Sequence, residues 1–170
     1  MMSISACGEF GYVTCVRPAR GEPSAGDGER GVAGEERMQG VGSGLEDRIR
    51  ELEVAPGTVA CVWLGQAGYL LKSPAGVVVM MDPYLSDWAE YTWGMRRVVP
   101  PAIDPARLVP DLLLVSHWHE DHLDAPTVKL WARDAQGIIA GPISVTVRAQ
   151  AWGWSEERTA LLNRGMSYQL

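Results

Sequence analysis

Apolar residues recur from about residue 43 onward with the periods that mark short strands and helices. Residues 59–64 and 69–72 are rich in β-branched and large apolar side chains and predict a hairpin of two strands. The continuous apolar run at 77–81 is typical of a strand buried on both faces, and residues 111–116, which are apolar at 112–115, predict a second buried strand. These four segments predict the centre of a β-sheet.

Helical periodicity is found between and after these strands. Apolar positions at i, i+4 and i+7 within residues 45–52 predict a short amphipathic helix, and Ser43 with Glu46 has the spacing of a capping box. Asp124 can cap a second helix over 125–133, and a third follows Pro142 to about residue 152. Shorter strands are expected at 137–140, 159–162 and 167–170. Alternating strands and helices indicate a layered α/β fold.

Two stretches lack both periods. Residues 83–110 contain five prolines and predict a long irregular loop, a kind of segment that is often functional. Residues 1–42 mix glycine with Glu, Arg, Pro and Ser, and we expect a disordered Gly-rich tail there. The folded domain is therefore expected to cover residues 43–170.

Composition narrows the class of protein. The chain has 170 residues, of which 46% are hydrophobic and 21% charged, which excludes a fully disordered chain, a collagen-like repeat and a coiled coil. Its net charge of −6 argues against a nucleic-acid partner, and no apolar run approaches the ~20 residues of a membrane span. Three cysteines without a paired spacing, and no secretory signal, predict a cytoplasmic protein without a disulfide framework.

The candidate chemistry lies in one loop. All three histidines fall within residues 116–122, directly after a predicted strand, where α/β proteins place ligand sites. His117 and His119 are two apart and, in an extended segment, present both imidazoles to one side, so that they can share a metal ion. Asp121 and His122 offer a carboxylate and an imidazole to a second metal, and this donor set suits Zn, Mn or Fe. The alternative is an ordinary surface loop.

This H-x-H-x-D-H segment resembles the signature of the metallo-β-lactamase fold superfamily of metallo-hydrolases. The segments 63–68, 81–88, 114–124 and 141–154 are similar to the branch that contains L-ascorbate-6-phosphate lactonase. The resemblance covers about residues 55–170. Trp118 departs from the small or polar residue more usual at its position.

The resemblance implies an α/β fold, a four-layered αββα sandwich with the metal centre at its edge. Residue by residue, it implies that His117 and His119 bind a first divalent metal and that Asp121 and His122 bind a second, Zn²⁺ or Mn²⁺. Asp121 would also orient the nucleophile and accept or relay a proton. Asp82 matches an acidic position and would support the centre, although an Asp before Pro is also a common turn former.

The function implied by the resemblance is a hydrolase, lactonase-like on a small anionic sugar lactone. A phosphodiesterase of the N-acyl phosphatidylethanolamine or RNA type and a non-catalytic metal-binding remnant are the alternatives. A complete site of the family takes further His and Asp residues from later strands, and no histidine follows His122. We therefore expect an amino-terminal half with little or no turnover alone, no nucleic-acid or membrane partner, and self-association through the apolar face that the other half would cover.

Overall fold

A seven-stranded sheet runs through the residues that the computed structural model describes, which are 13–16, 44–134 and 136–163. The strands follow one another across the sheet in the order of the sequence. They are β1 (Val13–Val16), β2 (Val59–Gly65), β3 (Gly68–Lys72), β4 (Val78–Met81), β5 (Leu112–Leu114), β6 (Ile138–Gly141) and β7 (Thr159–Leu161).

The direction of pairing changes at β4. Strands β1 to β4 pair antiparallel, with β2 and β3 forming the predicted hairpin, whereas β4 to β7 pair parallel. In the parallel half Met81 aligns with Leu114 and Leu114 with Ala140. The carboxyl ends of β4, β5 and β6 therefore meet at one edge of the sheet, and the residues that follow them are brought together there.

Four helices connect the strands in the described residues. They are α1 (Leu45–Glu51), α2 (Trp88–Trp93), α3 (Ala125–Asp134) and α4 (Ile143–Ala151), and a 3-10 turn spans Glu156–Arg158. The predicted helices α1, α3 and α4 are confirmed within a few residues. In the described part of the chain no helix combines the length and the apolar character that a bilayer crossing requires.

One face of the sheet forms the hydrophobic core. Alternate residues along the central strands are fully buried and pack in one cluster with side chains of α1, α3 and α4. The sheet contributes Val62, Leu70, Met80, Leu113 and Ile139, and the helices contribute Ile49, Val128, Trp131, Val145 and Ala149. The helices of this layer hold β4, β5 and β6 in place beneath the site.

The opposite face of the sheet is also apolar but much less covered. Trp63, Tyr69 and Met81 align across β2, β3 and β4, and their exposed fractions are 37%, 42% and 40%. Met81 of β4 is exposed and Leu112 and Leu114 of β5 are only half-buried, so the expectation that β4 and β5 are buried on both faces is wrong for the described residues. Self-association through this face stays a prediction.

The amino-terminal tail contains one element that the sequence analysis did not predict. Residues 13–16, assigned to a disordered tail, form β1 and pair antiparallel with β2. Two valines and a cysteine in four residues suit a strand, and the edge of β2 supplies the backbone partners. The rest of the 1–42 tail, Ser43 and the predicted strand at 167–170 lie outside the described residues.

Two local predictions need correction. The loop over 83–110 is not wholly irregular, because α2 forms within it and ends at Gly94, whose φ of 69° is the left-handed conformation of a helix C-cap. Helix α1 has Gly44 at its N-cap without a side-chain cap, so the capping box is wrong. The Glu46 carboxylate instead accepts a 2.7 Å hydrogen bond from the backbone N–H of Asp104.

Candidate metal centre

Asp82 occupies a strained turn where β4 ends. Its φ is 42°, a left-handed conformation that is uncommon for residues with a side chain, although Asp tolerates it better than most. Its backbone N–H donates to the carbonyl of Leu114 at 3.0 Å and so continues the pairing of β4 with β5. The turn directs the Asp82 carboxylate toward the residues that follow β5.

Ser116 donates two hydrogen bonds to this carboxylate. Its backbone N–H donates to Asp82 Oδ1 at 2.7 Å, and its hydroxyl donates to Asp82 Oδ2 at 2.6 Å. The sequence analysis did not single out Ser116. A hydroxyl beside the first histidine is the signal that was available, since metal-binding imidazoles are commonly oriented by a second hydrogen bond.

Hydrogen bonds to Asp82 and Ser116 assign the tautomers of two imidazoles. His122 Nδ1 lies 3.0 Å from Asp82 Oδ2, and His117 Nδ1 lies 2.9 Å from Ser116 Oγ. A carboxylate can only accept, and the Ser116 proton is already donated to it, so both Nδ1 atoms carry the hydrogen. The Nε2 atoms of His117 and His122 are therefore unprotonated and carry a lone pair, which is the form that binds metal ions.

His117 and His119 face each other as the sequence spacing predicts. His117 Nε2 lies 3.0 Å from His119 Nδ1, and the ring centroids are 4.6 Å apart. Two nitrogen ligands on a tetrahedral zinc are separated by about 3.3 Å. For both nitrogens to bind one ion, the rings must move apart slightly and the hydrogen between His117 Nε2 and His119 Nδ1 must be lost.

Asp121 completes the cluster at its solvent side. One of its carboxylate oxygens, Oδ2, lies 3.6 Å from His122 Nε2, and its side chain is 38% exposed. The ring of His122 also lies 3.9 Å from that of His117, centroid to centroid. The structure thus brings together all the residues predicted for the site, namely Asp82, His117, His119, Asp121 and His122.

The donors fit a divalent metal by their chemistry rather than by a preformed cage. In the residues that the structure describes, no group of three or more His, Cys, Asp or Glu side chains is arranged as a ready-made metal site. The reason is visible in the geometry, since the imidazoles and the Asp82 carboxylate hydrogen-bond one another. His117 and His122 nevertheless each have an unprotonated Nε2 and an Nδ1 held by a hydrogen bond, which is the arrangement typical of ligating histidines.

The electrostatic environment of His117 favours its neutral form. Partial burial, followed by the nearby His122 and His119 imidazoles, lowers the pKa of His117 despite the opposing carboxylates of Asp82 and Asp121. A lowered pKa favours the uncharged imidazole at neutral pH. The uncharged imidazole is the metal-binding form, so the environment of His117 assists ligation.

Asp124 anchors the loop that enters the site. Predicted only as a helix cap, it is fully buried and accepts hydrogen bonds from the backbone N–H groups of Leu85 and Ser86 at 3.0 and 2.9 Å. The hydroxyls of Ser86 and Thr127 also donate to its carboxylate. This single side chain therefore joins the segment after Asp82 to the start of α3, directly behind the histidine loop.

Comparison with known proteins extends these findings. The family profile of the beta-lactamase superfamily domain matches residues 61–170, which is more than half of the chain. A "UPF0173 metal-dependent hydrolase" from Polynucleobacter asymbioticus is 41% identical over 44% of this chain and 25% of its own length. "Probable L-ascorbate-6-phosphate lactonase UlaG" from Escherichia coli O127:H6 is 30% identical over 73% of this chain and 42% of its own length.

The match covers the fold elements that build the site. It begins within β2 and includes β4, β5 and the whole histidine loop. The chain spans between 25% and 42% of the length of these two relatives. From the extent of the profile match, the chain belongs to the beta-lactamase superfamily.

Proposed function

We propose that the chain is a divalent-metal-dependent hydrolase. The observation that carries this proposal is the convergence of three imidazoles and two carboxylates at the carboxyl ends of β4 and β5, with the Nε2 atoms of His117 and His122 unprotonated. A bound Zn²⁺ or Mn²⁺ ion would supply a water-derived nucleophile at neutral pH and polarise the bond to be cleaved. One or two ions fit the donor set.

Each side chain of the cluster has a distinct role in this proposal. His117 and His119 hold the first ion, and His122 with Asp121 holds the second. Asp82 fixes the orientation of His122 directly and that of His117 through Ser116. Asp121, the more exposed carboxylate, orients the nucleophile and takes up its proton.

The proposed substrate is a small anionic sugar lactone. The name of the Escherichia coli relative, a probable lactonase, supports this choice, and that protein is 30% identical over 73% of this chain. Because the chain covers 42% of that relative, we expect slow turnover from this polypeptide. We place the protein in the cytoplasm, where the free thiol of Cys61 remains reduced.

Ring opening of a phosphorylated sugar lactone by the purified chain tests the function. With Zn²⁺ or Mn²⁺ added, we expect slow lactone hydrolysis above the rate of the chelator-treated chain. Asp121→Asn should abolish the metal-dependent part, because it removes the proton acceptor, whereas the neighbouring Glu120→Gln should retain it. Metal-dependent turnover that persists in Asp121→Asn, or that is lost equally in the two variants, would contradict the proposal.

A further inference from the structure

Trp118 lies between His117 and His119 in the sequence, and its indole contacts a side chain of helix α4. Its indole is 39% exposed, and its ring centroid lies 4.8 Å from that of His119 at an interplanar angle of 67°. On the Trp118 ring lies the guanidinium of Arg148, with Cζ 4.7 Å from the centroid. The three side chains form a continuous stack from α4 to the histidine loop.

Arg148 is itself held in place. It belongs to α4, which buries Val145 and Ala149 in the core, and its Nη1 donates to the Ser144 carbonyl at 2.9 Å. Among the described residues no carboxylate lies within ion-pair distance of its guanidinium. The charge is therefore directed at the indole face rather than at an acidic partner, which is the geometry of a cation–π contact.

The stack restricts the motion of an exposed ligand in the histidine loop. Trp118 and His119 are exposed residues of a loop, and an unconstrained His119 ring loses rotational freedom when it binds a metal. A ligand that is already held by packing binds with less of this cost. Arg148 anchors Trp118 to a rigid helix, and Trp118 in turn packs edge-on against His119.

We propose that Arg148 is a positioning residue of the metal centre, acting through Trp118 to hold the His119 imidazole toward His117. The inference rests on the proposed function, because it concerns the affinity of the same site for its metal. Arg148 touches neither the metal nor the substrate in this proposal.

The first experiment needs no metal. The His119 ring protons of the metal-free chain lie against the Trp118 indole, so NMR should show them displaced by its ring current. Arg148→Ala should move them toward the values of an unconstrained histidine, and Arg148→Lys should move them less, because the cation remains while the planar stack is lost. Unchanged shifts in Arg148→Ala would overturn the proposal even if the chain binds no metal.

The second experiment measures Zn²⁺ affinity by competition with a chromophoric chelator. Arg148→Ala and Trp118→Ala should each weaken binding about two- to fivefold, as expected from the strength of a partly exposed cation–π contact. The double variant should bind Zn²⁺ no more weakly than the weaker of the two single variants, because each single substitution already disrupts the same stack. Additive losses, or an unchanged affinity in Arg148→Ala, would overturn the positioning role.

A matched control is available on the neighbouring helix. Lys129 of α3 lies over the ring of Trp152 at 5.2 Å, a similar contact between other residues. Lys129→Ala should leave Zn²⁺ affinity and the His119 shifts unchanged, and a loss equal to that of Arg148→Ala would show a general effect of helix stability and overturn the proposal. If the wild-type chain fails to bind Zn²⁺, the proposed function fails, and the metal-free shifts still decide the stack.

Discussion

Two buried aspartates flank the segment that enters the metal centre, and they are used in different ways. Asp82 ends β4 and is 8% exposed, and Asp124 precedes α3 and is fully buried. Both accept hydrogen bonds from a serine hydroxyl. Both also accept from backbone N–H groups, but Asp82 contacts the imidazole of His122, whereas the further partner of Asp124 is the hydroxyl of Thr127.

This difference indicates that the Asp124 carboxylate stabilises the fold, whereas the Asp82 carboxylate orients residues of the metal centre. The donors around Asp124 are two backbone N–H groups and two hydroxyls, and none of them is a candidate metal ligand. Burial raises the pKa of Asp124 even against these hydrogen bonds. Asp82 instead connects two histidines, directly and through Ser116. Burial alone does not distinguish the two roles, whereas the identity of the partners does.

The largest expected effect is on stability, from Asp124→Ala. The substitution leaves the buried N–H of Leu85 and its neighbour at Ser86 without an acceptor, and each unsatisfied donor costs about 1–3 kcal/mol. We expect the free energy of unfolding to fall by about 3 kcal/mol, measured by urea denaturation.

Asp111→Ala is the matched control for Asp124→Ala. The Asp111 carboxylate accepts a hydrogen bond from the backbone N–H of Val78 at 2.7 Å, and the residue is exposed. Its loss should cost about 1 kcal/mol. Equal costs for the two alanine variants would show that the network around Asp124 has no special structural role.

Asp82→Asn is expected to have a smaller effect on stability and to lower metal affinity instead. The variant loses the acceptor that orients His122 and weakens the one that orients His117 through Ser116. Such changes behind a ligand typically lower metal affinity about 10–100-fold. Isothermal calorimetry with Zn²⁺ should show that loss, together with a smaller drop in unfolding free energy than Asp124→Ala.

Ser116→Ala sharpens the comparison between the two halves of the Asp82 network. It removes the hydroxyl between Asp82 and His117 but keeps the direct contact with His122. The loss of Zn²⁺ affinity should therefore be smaller than in Asp82→Asn. A Zn²⁺ affinity unchanged in both variants would remove the proposed orienting role of Asp82.

Much of the fold was predictable because the local spacing of apolar residues indicates the strands and helices. The β2–β3 hairpin, β4, β5, α3 and α4 follow from apolar runs and from the residues that bound them. The clustering of His117, His119 and His122 after β5 predicted where the candidate site lies, since the carboxyl ends of parallel strands share one sheet edge.

The remaining features depend on contacts between distant residues. Asp124 and Leu85 are far apart in sequence, as are Trp118 and Arg148, and no local pattern reveals such pairs. The family resemblance implied a supporting role for Asp82 but did not indicate Ser116, because the link between them needs the register of β4 against β5. Tertiary packing decides these features.

Metal analysis of the wild-type chain beside His119→Ala tests the central claim most directly. After exposure to Zn²⁺ and removal of excess ion, the wild-type protein should retain zinc when measured by mass spectrometry of the element. His119→Ala should retain much less, because the partner of His117 is lost, and Glu120→Gln should match the wild type. Equal zinc in the wild type and His119→Ala would contradict the assignment of the metal centre.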